Sequence, residues 1–260
     1  MLVRLVEVVK EFETRRGRLR ALDGITLDVR EGEFLALVGP SGCGKSTLLS
    51  IIAGLEAPTS GSVAFLGPQR AQTRTAMVWQ DTRLLPWRVV DRNVGLGPEF
   101  RGQPEPERRG IVQRFLRKMR LEGFEQFFPR QLSGGMQQRA GIARALANDP
   151  EVLLMDEPFA HLDALNRRLM QLELLQVWEQ TGKTVVYVTH SIDEAVLLSD
   201  RVVVLTAGPA RVKAFVDIDL PRPRGAETLA HPAFQAATTR IWQLLEDEAR
   251  RAEQRLLDRE

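Results

Sequence analysis

The run Gly39-Pro40-Ser41-Gly42-Cys43-Gly44-Lys45-Ser46-Thr47 combines three glycines with a lysine and a following pair of hydroxyls, at the spacing G-x-x-x-x-G-K-[ST]. That combination suits the capture of phosphate. Glycine lets a backbone wrap close to an anion, so that successive N–H groups and a helix N-terminus point at it. The Lys45 ammonium would reach β- and γ-phosphates, and Ser46 would offer its hydroxyl to Mg²⁺. Cys43 matters to such a loop through its backbone rather than its sulfur.

Three further places could do related chemistry. Leu132-Ser133-Gly134-Gly135-Met136-Gln137-Gln138-Arg139 puts a capping hydroxyl and two glycines at a helix start, which makes a second anion site. Taken alone, that segment is better read as an ordinary capped helix with glycine in its first turn. Val152-Leu153-Leu154-Met155 runs into Asp156-Glu157-Pro158. Acids at the carboxyl end of a buried strand face the ligand crevice, where Asp156 can hold Mg²⁺ through water and Glu157 can polarise an attacking water. His190 follows another apolar run, Thr184 to Thr189; a lone histidine there is in general a hydrogen-bonded structural residue, and the surrounding pattern favours function here.

These residues need a scaffold. Phe34 to Val38 is short, continuous and apolar, as a strand buried on both faces should be. Leu48 to Ala53 reads as a helix stopped by Gly54, with Pro58 shortly after. Residues 1–33 alternate around a turn-like Arg15-Arg16-Gly17-Arg18, which predicts an antiparallel layer with Phe12 at its far end. Residues 61–66, Ala76 to Trp79 and Arg201 to Leu205 read as strands, and 210–220 as an edge strand. Between about 81 and 150, prolines at 86, 98, 104 and 106 give way to helical spacing from Arg108 to Arg120, the pattern of an inserted helical subdomain. Leu220-Pro221-Arg222-Pro223-Arg224 reads as a stiff extended linker, followed by an amphipathic helix from Phe234 to Leu257.

The bulk numbers fit this layout. A 260-residue chain with 43% hydrophobic residues can bury a large core, and a single cysteine suits a reducing compartment. The N-terminus lacks the apolar stretch of a signal peptide, and no run approaches the roughly 18 residues that span a bilayer. The net charge is only +2, with arginines scattered among acids, so a nucleic-acid stripe is not expected.

Together these motifs resemble the ATP-binding subunit of an ATP-binding-cassette (ABC) transporter, over Val3 to about Arg224. The matches are Walker A at Gly39 to Thr47, the Q-loop at Gln80, the signature at 132–139, Walker B at Val152 to Glu157, the D-loop ending Leu162-Asp163, and the switch histidine His190. The resemblance implies an α/β fold with a P-loop NTPase core, an antiparallel β layer and an inserted α-helical subdomain, as an ATP-binding domain at 1–224 and a helical extension at 225–260. It implies two cassettes facing head to tail, each ATP held between Walker A of one copy and the signature helix of the other. Phe12 would stack on adenine, and Gly39, Pro40, Ser41, Gly42, Cys43, Gly44, Lys45, Ser46, Thr47 and Gln80 would hold ATP. Ser46, Gln80 and Asp156 would hold Mg²⁺; Ser133, Gly134, Gly135 and Asp163 would act across the dimer; Glu157 would be the general base and His190 the γ-phosphate sensor.

Leu84-Leu85-Pro86-Trp87, Asp193-Glu194-Ala195-Val196, Leu220 to Arg224 and Met136 in the signature resemble the ATPases of nitrate, sulfonate and taurine importers. The implied partners are an integral-membrane permease, gripped through an exposed Leu84, Leu85 and Trp87, a second ATP-binding subunit that would be an identical copy, and indirectly an extracytoplasmic solute-binding protein. The implied location is peripheral, on the cytoplasmic face of the inner membrane. Ala160-His161 departs from the usual Ser-Ala of the D-loop, removing a hydroxyl from the cross-dimer contact. A thiamine-precursor importer shares most of these motifs. A soluble cassette of DNA repair or translation would carry a coiled-coil insertion or a second cassette, and neither is visible; an exporter is disfavoured by the branch motifs.

Overall fold

The computed structural model describes residues 1–15, 17–66 and 74–257. Arg16, in the expected turn, and 258–260, at the end of the expected extension, lie outside them. Two compact units are formed: Met1–Thr73 with Thr184–Glu260, and Arg74–Lys183. In chain order, the first unit opens with β1 (Val3–Thr14), β2 (Gly17–Val29), β3 (Phe34–Val38), α1 (Lys45–Ile52) and β4 (Ser60–Phe65). The second unit holds β5 (Thr75–Val78), α2 (Val90–Val94), α3 (Leu96–Phe100), α4 (Glu105–Lys118), α5 (Gly134–Ala147), β6 (Val152–Asp156) and α6 (Ala164–Thr181). The chain then returns to the first unit with β7 (Thr184–Val188), α7 (Ile192–Leu198), β8 (Arg201–Leu205), β9 (Val212–Asp217) and α8 (Pro232–Leu257).

In the first unit, β1 pairs antiparallel with both β2 and β4. Val3 and Leu5 are fully buried and Arg4 between them is exposed, the alternation of a sheet with one wet face. The β1–β2 register shifts between Leu5 and Val8, where Glu7 takes φ 48°, so a bulge returns Val8 to the core side. β3 lies between β7 and β8, parallel to each, and all three are buried at every position, which is why they read as unbroken apolar runs. β9 runs antiparallel to β8.

At the start of β8, Arg201 forks onto Glu33 at 2.8 and 3.1 Å and donates to the Asp28 carbonyl at 2.6 Å, tying this sheet to β2. The expected linker after β9 is instead pinned. Arg224 is only 6% exposed and donates to the carbonyls of Val196, Leu197, Ser199, Ile218 and Leu220. α8 then docks through buried Phe234, Ile241 and Glu248. The Glu248 carboxylate accepts from the Ala207 N–H at 2.9 Å and pairs with Lys213 at 2.9 Å. Burial raises its pKa, but Lys213 and the Ala207 N–H outweigh that and hold the carboxyl below its usual range.

The second unit contains the parallel pair β5–β6, in register from Thr75↔Val152 to Val78↔Met155. It extends beyond the expected 81–150 insertion because this strand pair and α6 belong to it. α6 ends on Gly182 at φ 59°, a left-handed cap that glycine adopts without steric cost.

Candidate functional site

The first unit carries the glycine loop between β3 and α1. Lys45 opens α1, is 6% exposed, and donates to the carbonyls of Gly39 at 2.8 Å and Pro40 at 3.0 Å. The ammonium is thus fixed inside the loop at a helix N-terminus, where an anion is doubly favoured. Gly44 sits at φ 119°, and a Cβ there would lie 2.9 Å from the Ala21 carbonyl oxygen, so β2 presses on the loop where only glycine fits. Cys43 is buried, and burial pushes its thiol up while Lys45 pulls it down less strongly. It is therefore no ready nucleophile.

Phe12 is half-buried on β1, opposite Leu19 of β2, the strand that also touches Gly44, and the Lys10 ammonium lies 4.9 Å from its ring centre. His190 is exposed just past β7. Its turn is braced by Thr189, whose hydroxyl donates to the Glu194 carboxylate and accepts from the Ser191 N–H at 3.0 Å. Gly39, Pro40, Ser41 and His190 share the wall of a cavity of about 470 Å³, which Trp242, Leu245 and Arg250 of α8 complete. The α8 residues were not among the sequence candidates, because a solvated helical face gives no sign of what lies beside it.

The second unit carries the other set. Ser133 caps α5, its hydroxyl accepting from the Met136 N–H at 3.3 Å, and Ser133 and Gly134 are exposed, leaving the helix start open to an approaching anion. Arg139 is turned inward instead, onto Glu173 of α6 at 3.0 Å. Asp156 ends β6 at 9% exposure, and Glu157 beside it takes φ 44°, a left-handed conformation unfavourable to a side-chain-bearing residue and concentrated at functional sites. Asp163 caps α6 through the Asn166 N–H at 3.0 Å, and that bond with the Asn166 side chain holds its carboxyl below the usual range. The D-loop aspartate therefore has a folding role besides any contact across a dimer.

Gln80 is exposed and shares a cavity of about 350 Å³ with Gly134, His161 and Leu162, so Q-loop, signature start and D-loop lie together. His161 stands 3.6 Å from Asp81. Two residues that motif spacing did not single out hold this region. Arg144 of α5 donates to the carbonyls of Arg83 at 2.7 Å and Thr82 at 2.8 Å. Asn93, fully buried, accepts from the Leu85 N–H and donates to the carbonyls of Leu85, Arg88 and Val89. The expectation of three exposed apolar residues needs correction: Trp87 is 71% exposed, but Leu85 is half-buried and Leu84 is buried at 9%, drawn into the core of the unit.

The sequence pattern of the family described as ABC transporter matches residues 22–160, from β2 through both glycine-bearing helix starts to the turn after β6. The chain belongs to the ABC transporter family. This cassette is 51% identical to an uncharacterized ABC transporter ATP-binding protein of Methanocaldococcus jannaschii, over 95% of this chain and 92% of that one. It is 42% identical to the bicarbonate transport ATP-binding protein CmpC of Synechococcus elongatus, over 96% of this chain but 39% of that longer protein. It is 38% identical to the aliphatic sulfonates import ATP-binding protein SsuB of Bacillus cereus, over 95% of this chain and 96% of that one. Among solved structures, a dimeric ATP-binding cassette in a post-hydrolysis state, bound to ADP and Pi, superposes with a TM-score of 0.74 at 35% identity, over 84% of this chain and 99% of that one. The cassette is an ATP-binding ATPase with the α/β P-loop fold of its family.

Proposed function

We propose that this ATPase energises an importer for a small solute, with sulfonates and taurine first and nitrate next. The observation that carries this reading is likeness to an aliphatic sulfonate import protein along nearly the whole of both chains. A bicarbonate importer is the second reading, favoured by the higher identity to CmpC. The solute itself would be chosen by other subunits. Growth of a strain lacking this chain, with taurine or an alkanesulfonate as sole sulfur source, tests the cargo. Rescue by wild type and not by Lys45→Ala is expected; undiminished growth of the deletion strain would redirect the search to bicarbonate, nitrate or a thiamine precursor.

In this reading two copies face head to tail and sandwich two ATP molecules, as the dimeric relative suggests. The Gly39–Thr47 loop holds the phosphates, Phe12 lies against adenine, and Ser133, Gly134, Gly135 and Asp163 of the opposite copy close the site. Glu157 accepts a proton from the water that attacks the γ-phosphorus, while the bond to the β-phosphate oxygen breaks and His190 orients the γ-phosphate. A hydroxyl, an amide oxygen and a carboxylate, from Ser46, Gln80 and Asp156, are the hard donors that Mg²⁺ prefers. When bound, Mg²⁺ would neutralise charge on the β- and γ-phosphates.

No helix among the described residues is long and apolar enough to cross a membrane, so attachment to the cytoplasmic face of the inner membrane would run through a permease subunit. Trp87 is the anchor best placed for it, an indole 71% exposed on a loop that Asn93 holds rigid. Trp87→Ala is expected to weaken co-purification with the permease roughly tenfold while ATP binding in solution is unchanged; undiminished association would remove Trp87 from the interface.

A further inference from the structure

We infer that the middle of α8, around Trp242 and Leu245, is an additional contact between two copies of the cassette, covered by the partner when ATP closes the pair. This rests on the head-to-tail dimer proposed above. Trp242 and Leu245 border the same cavity as Ser41 and His190, so the helix lies beside the phosphate loop and the histidine that follows β7. Its position is fixed from below. Ile241 is fully buried, and two turns further Glu248 is locked to the Ala207 N–H and Lys213. Against that anchored side, Trp242 stands 59% exposed, a large apolar surface held rigidly in water. Next to it Arg250 is paired with Glu246 at 2.7 Å, so an aromatic centre is flanked by a charged rim, the usual anatomy of a contact surface.

The occupant follows from continuity. In a nucleotide sandwich, Ser133 and Gly135 of the second copy must reach phosphates held at Gly39–Lys45, which brings that copy across Ser41 and His190. The cavity they share with α8 is then closed from above by the same copy. α8 would thereby couple nucleotide-driven closure to an extension outside the ATP-binding motifs.

The test uses the full chain with Glu157→Gln, which holds ATP, and measures the dimer dissociation constant in Mg-ATP by sedimentation velocity. Removing the extension is unsuitable, because Phe234, Ile241 and Glu248 belong to the core. Adding Trp242→Ala, or separately Leu245→Ala, is expected to raise the dissociation constant about tenfold or more. Gln243→Ala, an exposed neighbour outside the cavity wall, should leave it unchanged. A fluorescent ATP analogue should bind the single cassette equally in all variants. If Glu157→Gln dimerises and both α8 variants dimerise as well or better, the inference is overturned, and tighter pairing would make α8 a brake. If Glu157→Gln itself stays monomeric with ATP bound, the sandwich reading falls and takes this contact with it.

Discussion

Replacing Glu157 by Gln is expected to cut ATP hydrolysis at least about a hundredfold while ATP remains bound. The residue is delivered by β6, buried at every position, and its own backbone sits at φ 44°, a conformation held by the turn in which the Ala160 N–H donates to the Glu157 carbonyl at 3.1 Å. A group kept in an unfavourable backbone region is aimed rather than merely attached. Glutamine preserves shape, but it turns one acceptor oxygen into a donor and cannot take the proton of the attacking water. Single-turnover phosphate release should therefore collapse, and an ATP-bound dimer should accumulate on size-exclusion chromatography. Undiminished release would remove Glu157 from the role of base.

Lys45→Ala is expected to weaken ATP binding by roughly tenfold to a hundredfold, the value of one or two charge-assisted hydrogen bonds. Lys45 is only 6% exposed, and its ammonium is directed by the Gly39 and Pro40 carbonyls. The fold should survive, because α1 is anchored by buried Leu48, Leu49 and Ile52 rather than by the lysine. Thermal unfolding separates these effects. Without nucleotide the variant should melt close to the parent, whereas the upward shift given by Mg-ATP, about 2.7 kcal/mol at a hundredfold excess over the dissociation constant, should fall to between about 1.4 and about 0.4 kcal/mol at the same ATP concentration. A full shift in the variant would show that the lysine does not grip the phosphates.

What could be read from the chain beforehand depended on whether a residue's neighbours in space were also its neighbours in sequence. The glycine loop, the Ser133 cap and the buried strands β3, β7 and β8 are local patterns and stand where expected. α6 went unread, because Leu165 and Leu169 face outward at 71% and 45% exposure while Gln171 and Glu173 are buried, which scrambles the apolar stripe of an amphipathic helix. Glu173 can be buried because Arg139, from another helix, and Arg120 both pair with it. The short helices α2 and α3 were hidden by Gly95 and Pro98, which sequence reading treats as breakers. The proline-rich segment looked like a linker because the carbonyls that Arg224 collects are backbone groups, and backbone acceptors leave no mark on a sequence. Asn93 and Arg144 were missed for the same reason.

The buried sulfur in the phosphate loop has a practical consequence. Cys43 is the chain's single cysteine, 1% exposed, with its thiol pushed toward the unreactive protonated form. A maleimide or disulfide reagent added to the folded protein would therefore react only during excursions in which the loop opens. The rate of that reaction is a clock for local unfolding, built into the wild-type chain and needing no engineered label. Because nucleotide would have to leave before the loop could open, slowing of the clock by ATP would read occupancy and loop stability in one experiment.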